Sequence, residues 1–229
     1  EGVEAQSETV WRQANKYGVP RIVFINKLDR EGADFYRVLE EIGPRLGADP
    51  VAIQIPVGQG PAHTDDPFRA IIDLIDMKLL TFSTQDAGRT VSVQDIPEEL
   101  LADARDWRNV MLEKLYTHSE EMMVLAMEEK PIPSDLIRKT LREACIRQAI
   151  QPVLCGSALH GVGVQPLLDA VGSYLPCPID RPAVEGCDPK KPDKKILRKP
   201  DPKEPFCALV FKILPAKTGD MFWIRVYSG

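Results

Sequence analysis

Apolar positions along the chain change spacing several times, and each change predicts an element. "VEAQSETVWRQANKYGVP" has helix punctuation, with Ser7 as the candidate cap, Glu8 early, Lys16 in the last turn, and Gly18 and Pro20 as the stop. A short apolar strand, Arg21 to Ile25, follows directly. In "ADFYRVLEEIGPRLGA", Phe35, Val38, Leu39 and Ile42 recur at helical spacing, and Gly43-Pro44 is expected to distort the helix end. From about residue 48 the pattern turns β-rich, in "VAIQIPVG" and "FRAIIDLIDMKLLTFS", with the polar loop "QGPAHTDDP" between them. It becomes helical again at "IPEELLADARDWRNVMLEKLY", where Leu100, Ala104, Trp107, Met111 and Leu115 share a face. Two more helices are predicted, over about 119–128 and 134–148. A buried strand, "QPVLCG", then returns, and Val164, Leu167, Leu168, Val171 and Leu175 mark an amphipathic helix after it.

Helix, strand, helix, and later strand, helix, is the order of a doubly wound α/β sheet. Residues 1–47 and 148–178 make up that α/β domain, and 48–147 read as an α+β insertion within it. Residues 179–203 are rich in Pro and Lys and predict an extended, solvated linker. RNA phosphates are a conceivable target for those lysines, but Asp and Pro interrupt them and no aromatic platform accompanies them. Residues 204–229 hold two β-rich runs around Gly219-Asp220 and open a β domain.

With 44% of its residues hydrophobic and 28% charged, the chain can bury a substantial core. No segment approaches the roughly 18 uninterrupted apolar residues of a bilayer span, and "EGVEAQSETV" lacks a signal-peptide pattern, so the expected location is cytoplasmic, with no membrane partner. Cys145, Cys155, Cys177, Cys187 and Cys207 form no C-x-x-C pair; buried free thiols are expected, without zinc or disulfides. A net charge of -5 argues against coating polyanions non-specifically, and no DNA partner is expected. His63, His118 and His160 have no acid-base partner in sequence and are assigned no catalytic role.

The candidate chemistry lies in "RIVFINKLDR", where an apolar strand stops at an amide, an amine and a carboxylate. In open α/β sheets ligands sit outside the carboxyl ends of strands. Guanine offers two adjacent donors, its N1 hydrogen and exocyclic amine, and one carboxylate, Asp29, can accept both. Adenine presents a lone pair instead, a mismatch costing roughly 1 to 3 kcal/mol or more. Asn26 can donate toward the O6 and N7 edge and tie the loop to nearby backbone, while the Lys27 stem can cover a ring face. At the end of the second strand, Ser157 can steady the Asp29 loop and the Ala158 N-H can donate to O6. These three polar residues alone are a moderately specific signal; the paired strand-Ser-Ala-helix makes it sharp.

At these residues the sequence resembles the translational GTPases. "FINKLDR" is similar to their base-recognition loop and "CGSALHGVGVQPLLDAV" to their second base-contacting loop. With "IIDLIDMK", "YLPCP" and "RVYSG" the resemblance runs through nearly the whole chain and favours the translocating branch. It implies a P-loop-type GTPase domain, an inserted subdomain, a following β-barrel domain, and guanine selection by Asn26, Lys27, Asp29, Ser157 and Ala158. It further implies GTP or GDP as ligand, and the ribosome, through its RNA and stalk proteins, as partner. Leu28 stands where relatives usually carry Met, outside the hydrogen-bonding trio. No Gly precedes a Lys, so the phosphate-binding loop is not in this sequence, and "DREG" and "DAVG" match the switch spacing only in the wrong elements. The chain, which lacks an initiator Met, is therefore expected to be a fragment that reads the base but does not hydrolyse GTP, with Mg2+ needed only in the longer protein. A sister factor of the ribosome-protection or release-factor type is the alternative. A non-catalytic ribosome-docking module is another, using insert charges such as Glu98, Glu99, Asp103, Arg105, Arg138, Lys139 and Arg142 that otherwise read as the wet faces of helices.

Overall fold

The computed structural model describes residues 2–83, 85–188, 190–216 and 219–229, in two units that divide between Leu175 and Pro176. In the first unit, α1 (Ala5–Lys16) starts from Glu4, with Ser7 inside the helix rather than capping it. After β1 (Val23–Ile25), α2 (Phe35–Leu46) is capped by Asp34, whose side chain accepts the Arg37 N-H at 2.9 Å. The helix runs through Gly43-Pro44, because a proline this near the end removes one ladder bond only. It stops at Gly47, which takes the left-handed conformation and donates to the Gly43 carbonyl.

β2 (Pro50–Ala52) joins β1 and the later β7 (Gln151–Cys155) in a parallel sheet of order β1-β7-β2, with Ile25 opposite Cys155 and Ala52 opposite Val153. β7 is the middle strand and is buried along its whole length, as the apolar run after Gln151 requires. Four antiparallel strands form a second sheet in sequence order: β3 (Gln54–Val57), β4 (Ala70–Asp73), β5 (Lys78–Phe82) and β6 (Val91–Asp95). β6 has no counterpart in the sequence reading: "VSVQD" is an exposed edge strand held by its ladder to β5, and its Val93 is 64% exposed.

α3 (Glu98–Tyr116) buries Ala104, Met111 and Leu115 and half-buries Leu100 and Trp107, the face its spacing predicts. α4 (Glu120–Met127), capped by Ser119, and α5 (Ser134–Ile146) follow, and α5 buries Ile137, Leu141, Ala144 and Cys145. In α6 (Val164–Tyr174) the packed side is Leu167, Ala170 and Tyr174, spaced i, i+3, i+7; Leu168 and Val171, expected on the buried stripe, are exposed.

The second unit contains two hairpins. β8 (Val184–Asp188) and β9 (Lys191–Arg198) pair antiparallel where the composition predicts a plain extended linker, since backbone bonding needs no apolar face. β10 (Cys207–Ala216) pairs with β11 (Gly219–Ser228) and exposes Phe211, Ile213, Phe222 and Ile224. Cys145 and Cys155 are free thiols, buried as expected, and Cys187 is a free thiol exposed against expectation. No helix among the described residues is long and apolar enough to cross a membrane.

Candidate functional site

Two loops leave the carboxyl ends of the adjacent parallel strands β1 and β7. Backbone pairing continues past the strands: Gly156 N-H donates to the Ile25 carbonyl at 3.0 Å and Leu28 N-H to the Gly156 carbonyl at 3.2 Å. This close approach requires a glycine, since a Cβ on Gly156 would overlap the Val162 carbonyl oxygen and stand 2.8 Å from the Phe24 ring. In the first loop Lys27 adopts a left-handed φ of 64°, and Leu28 beside it is buried to 1% exposure. The Leu28 carbonyl accepts from Gly60 N-H at 2.7 Å, so the β3–β4 connection also holds this loop.

Asn26 is the clasp between the loops. Its Oδ1 accepts from the Lys27 N-H at 2.8 Å and from the Ala158 N-H at 2.9 Å, across 132 residues of sequence. The tie to neighbouring backbone is as expected for Asn26; the Ala158 N-H, expected to face a base, is here given to Asn26. Asp29 Oδ1 is buried and has no hydrogen-bond partner among the described residues, while Oδ2 lies 3.4 Å from His160 Nε2. A buried carboxylate oxygen without a donor is costly, which marks a position suited to a donor-bearing ligand. Ser157 is also buried, and its Oγ makes no hydrogen bond among the described residues. Its backbone instead bonds reciprocally with Val162, N-H to carbonyl at 3.0 Å each way, which closes the second loop.

Asn26 and Lys27 are exposed at the rim, and a cavity of about 670 Å3 opens beside them, lined also by Ile25, Arg30 and Gly32. Among the described residues no group of three or more His, Cys, Asp or Glu is placed to hold a metal ion. The five residues singled out in the sequence thus converge on one place. The sequence reading missed the approach of His160 and the bond from Gly60, which depend on pairings between distant segments. The only local hint was the crowding of glycines in "HGVG".

Residues 1–177 match the Elongation factor Tu GTP binding domain family. Over all 229 residues the chain is 46% identical to a protein described as elongation factor G from Wolbachia pipientis subsp. Culex pipiens (strain wPip), and it spans 32% of that relative's length. A crystal structure of a protein from Thermus thermophilus superposes with a TM-score of 0.76 at 25% identity, covering 100% of this chain and 30% of that one. The fold, the twin loops and these matches agree: the chain belongs to the translational GTPases built on the elongation factor Tu GTP-binding domain.

Proposed function

We propose that this chain is the guanine-reading part of a ribosome-dependent translocation GTPase of the elongation factor G type. The observation that carries the reading is Asp29, whose Oδ1 is buried and has no hydrogen-bond partner among the described residues, just past the end of β1 where two loops meet. A guanine placed there supplies the missing donors from N1 and the exocyclic amine. Asn26 holds the two loops in register and turns its amide edge toward the base, and the Lys27 stem covers a ring face. Ser157 and Ala158 form the small, close wall that admits the base, and the Ala158 N-H is shared between Asn26 and O6.

GTP or GDP is the ligand. The phosphates and their Mg2+ are held by elements outside these residues, since no Gly-Lys phosphate loop occurs in the sequence. Hydrolysis therefore belongs to the longer protein, in the cytoplasm on the ribosome, and these 229 residues alone bind GDP weakly and turn over no GTP. Identity of 46% to elongation factor G along the whole chain supports the translocase over sister factors.

The test is Asp29→Asn in the full-length protein carrying this sequence. Asparagine offers one acceptor and one donor, which suits xanthine, so GDP affinity should fall at least tenfold while XDP affinity rises, the discrimination a lost charged hydrogen bond supplies. Unchanged preference for GDP over XDP would rule the site out.

A further inference from the structure

The second base loop is braced from outside by a segment that carries no base-reading residue. Gly88, in the turn between β5 and β6, lies backbone to backbone against Gly161. A Cβ on Gly88 would stand 2.7 Å from the Gly161 carbonyl carbon and 2.8 Å from the His160 carbonyl oxygen; one on Gly161 would overlap the Ala87 carbonyl oxygen. Both glycines have left-handed φ values, 78° and 72°, so space and conformation each exclude a side chain. A side-chain bond locks the contact: Gln165 Nε2, in the first turn of α6, donates to the Gly88 carbonyl at 2.7 Å.

The described residues of the turn also bond among themselves. The Asp86 carboxylate accepts from the N-H groups of Arg89 and Thr90, each at 3.0 Å, and from the Thr90 hydroxyl, while Gly88 N-H donates to the Ser83 carbonyl at 2.7 Å. Its strands belong to the four-stranded sheet, whose edge is β6. On the other side the second base loop reaches the first through Ala158 N-H to Asn26 and through His160 to Asp29. Turn, second loop and first loop are therefore stacked in contact, with the base-reading carboxylate at the far end.

The geometry points to the β5–β6 turn as a positioning element for guanine: by fixing the second base loop it sets how long the nucleotide stays bound and how strictly the base is read. Gln165 and Gly88 are its positioning residues, and the four-stranded sheet gains a mechanical route to the nucleotide, so that a load on that sheet changes guanine exchange. This rests on the guanine site proposed above and goes beyond it, because none of these residues touches the base.

The experiment uses the full-length protein and follows dissociation of fluorescent GDP by stopped flow, competition by GDP and ADP, and thermal melting. Gln165→Leu, which removes one hydrogen bond and leaves the turn in place, should speed GDP dissociation about two- to tenfold and narrow the preference for GDP over ADP, with an unchanged melting temperature. Gly88→Val, which pushes the turn off the loop, should do more of the same; if it fails to fold, Gln165→Leu alone carries the test. GDP dissociation unchanged in Gln165→Leu overturns the inference, as does faster dissociation accompanied by a lower melting temperature and an intact base preference. A wild-type protein that does not bind GDP overturns instead the guanine site on which the inference stands.

Discussion

Single residues in the two loops beyond β1 and β7 are fixed by backbone geometry as much as by their side chains. Lys27 turns the chain through a left-handed φ that non-glycine residues seldom adopt, next to Leu28 in the core and Asp29 at the site. Gly156 is where the two loops come closest, so Gly156→Ala should cost about 1 to 3 kcal/mol through overpacking against Val162 and Phe24, read as a lower urea midpoint at unchanged slope. The Asn-Lys-Leu-Asp run was legible because its chemistry is local: a strand ends, and three polar groups follow within four residues. The approach of His160 to Asp29 was not, since it depends on β7 delivering its loop beside β1.

Among the elements, helices with dense apolar stripes were readable and polar edges were not. The α3 stripe placed Trp107 correctly, but sequence gives no sign that its ring stacks on Tyr36 of α2, with centroids 5.2 Å apart and planes 29° from parallel. A double-mutant cycle with Tyr36→Leu and Trp107→Leu should yield a coupling of about 0.5 to 1.5 kcal/mol, measured by denaturant unfolding. β6 escaped notice because its alternation is mostly polar and its place is secured by the β5 ladder, not by burial. Two of the five positions expected on the α6 stripe face outward for a related reason: Ala170 and Tyr174 supply the packed side, and neither stands out in an apolar count beside Leu168 and Val171.

For the molecule as a whole, several acidic protons are held by burial in the first unit. Burial pushes the Cys145 thiol up to about 11 and the Cys155 thiol higher still; it also carries the Tyr36 phenol up to about 12, with Cys155 and Asp103 adding, and raises Tyr174. Each group keeps its proton longer when folded than when unfolded, so its stabilising effect is complete below the unfolded value, near 9 for thiols and 10 for phenols, and is lost as pH rises through the folded one. Urea midpoints should therefore fall from pH 9 toward 12, and less steeply in Cys145→Ala combined with Tyr36→Phe. Thiol titration at pH 8 should label exposed Cys187 quickly and leave Cys145 and Cys155 unlabelled until the chain unfolds. The strand order β1-β7-β2 also has a temporal side: the strand at the centre is made last. Asn26 and Ala158 stand 132 residues apart, which at 5 to 20 residues per second is roughly 7 to 26 s of synthesis. Throughout that delay the nascent Asn26 has no distant N-H to grip and β1 has no β7 beside it. On the function proposed above, base reading is thus the last capacity this unit acquires as it leaves the peptide tunnel.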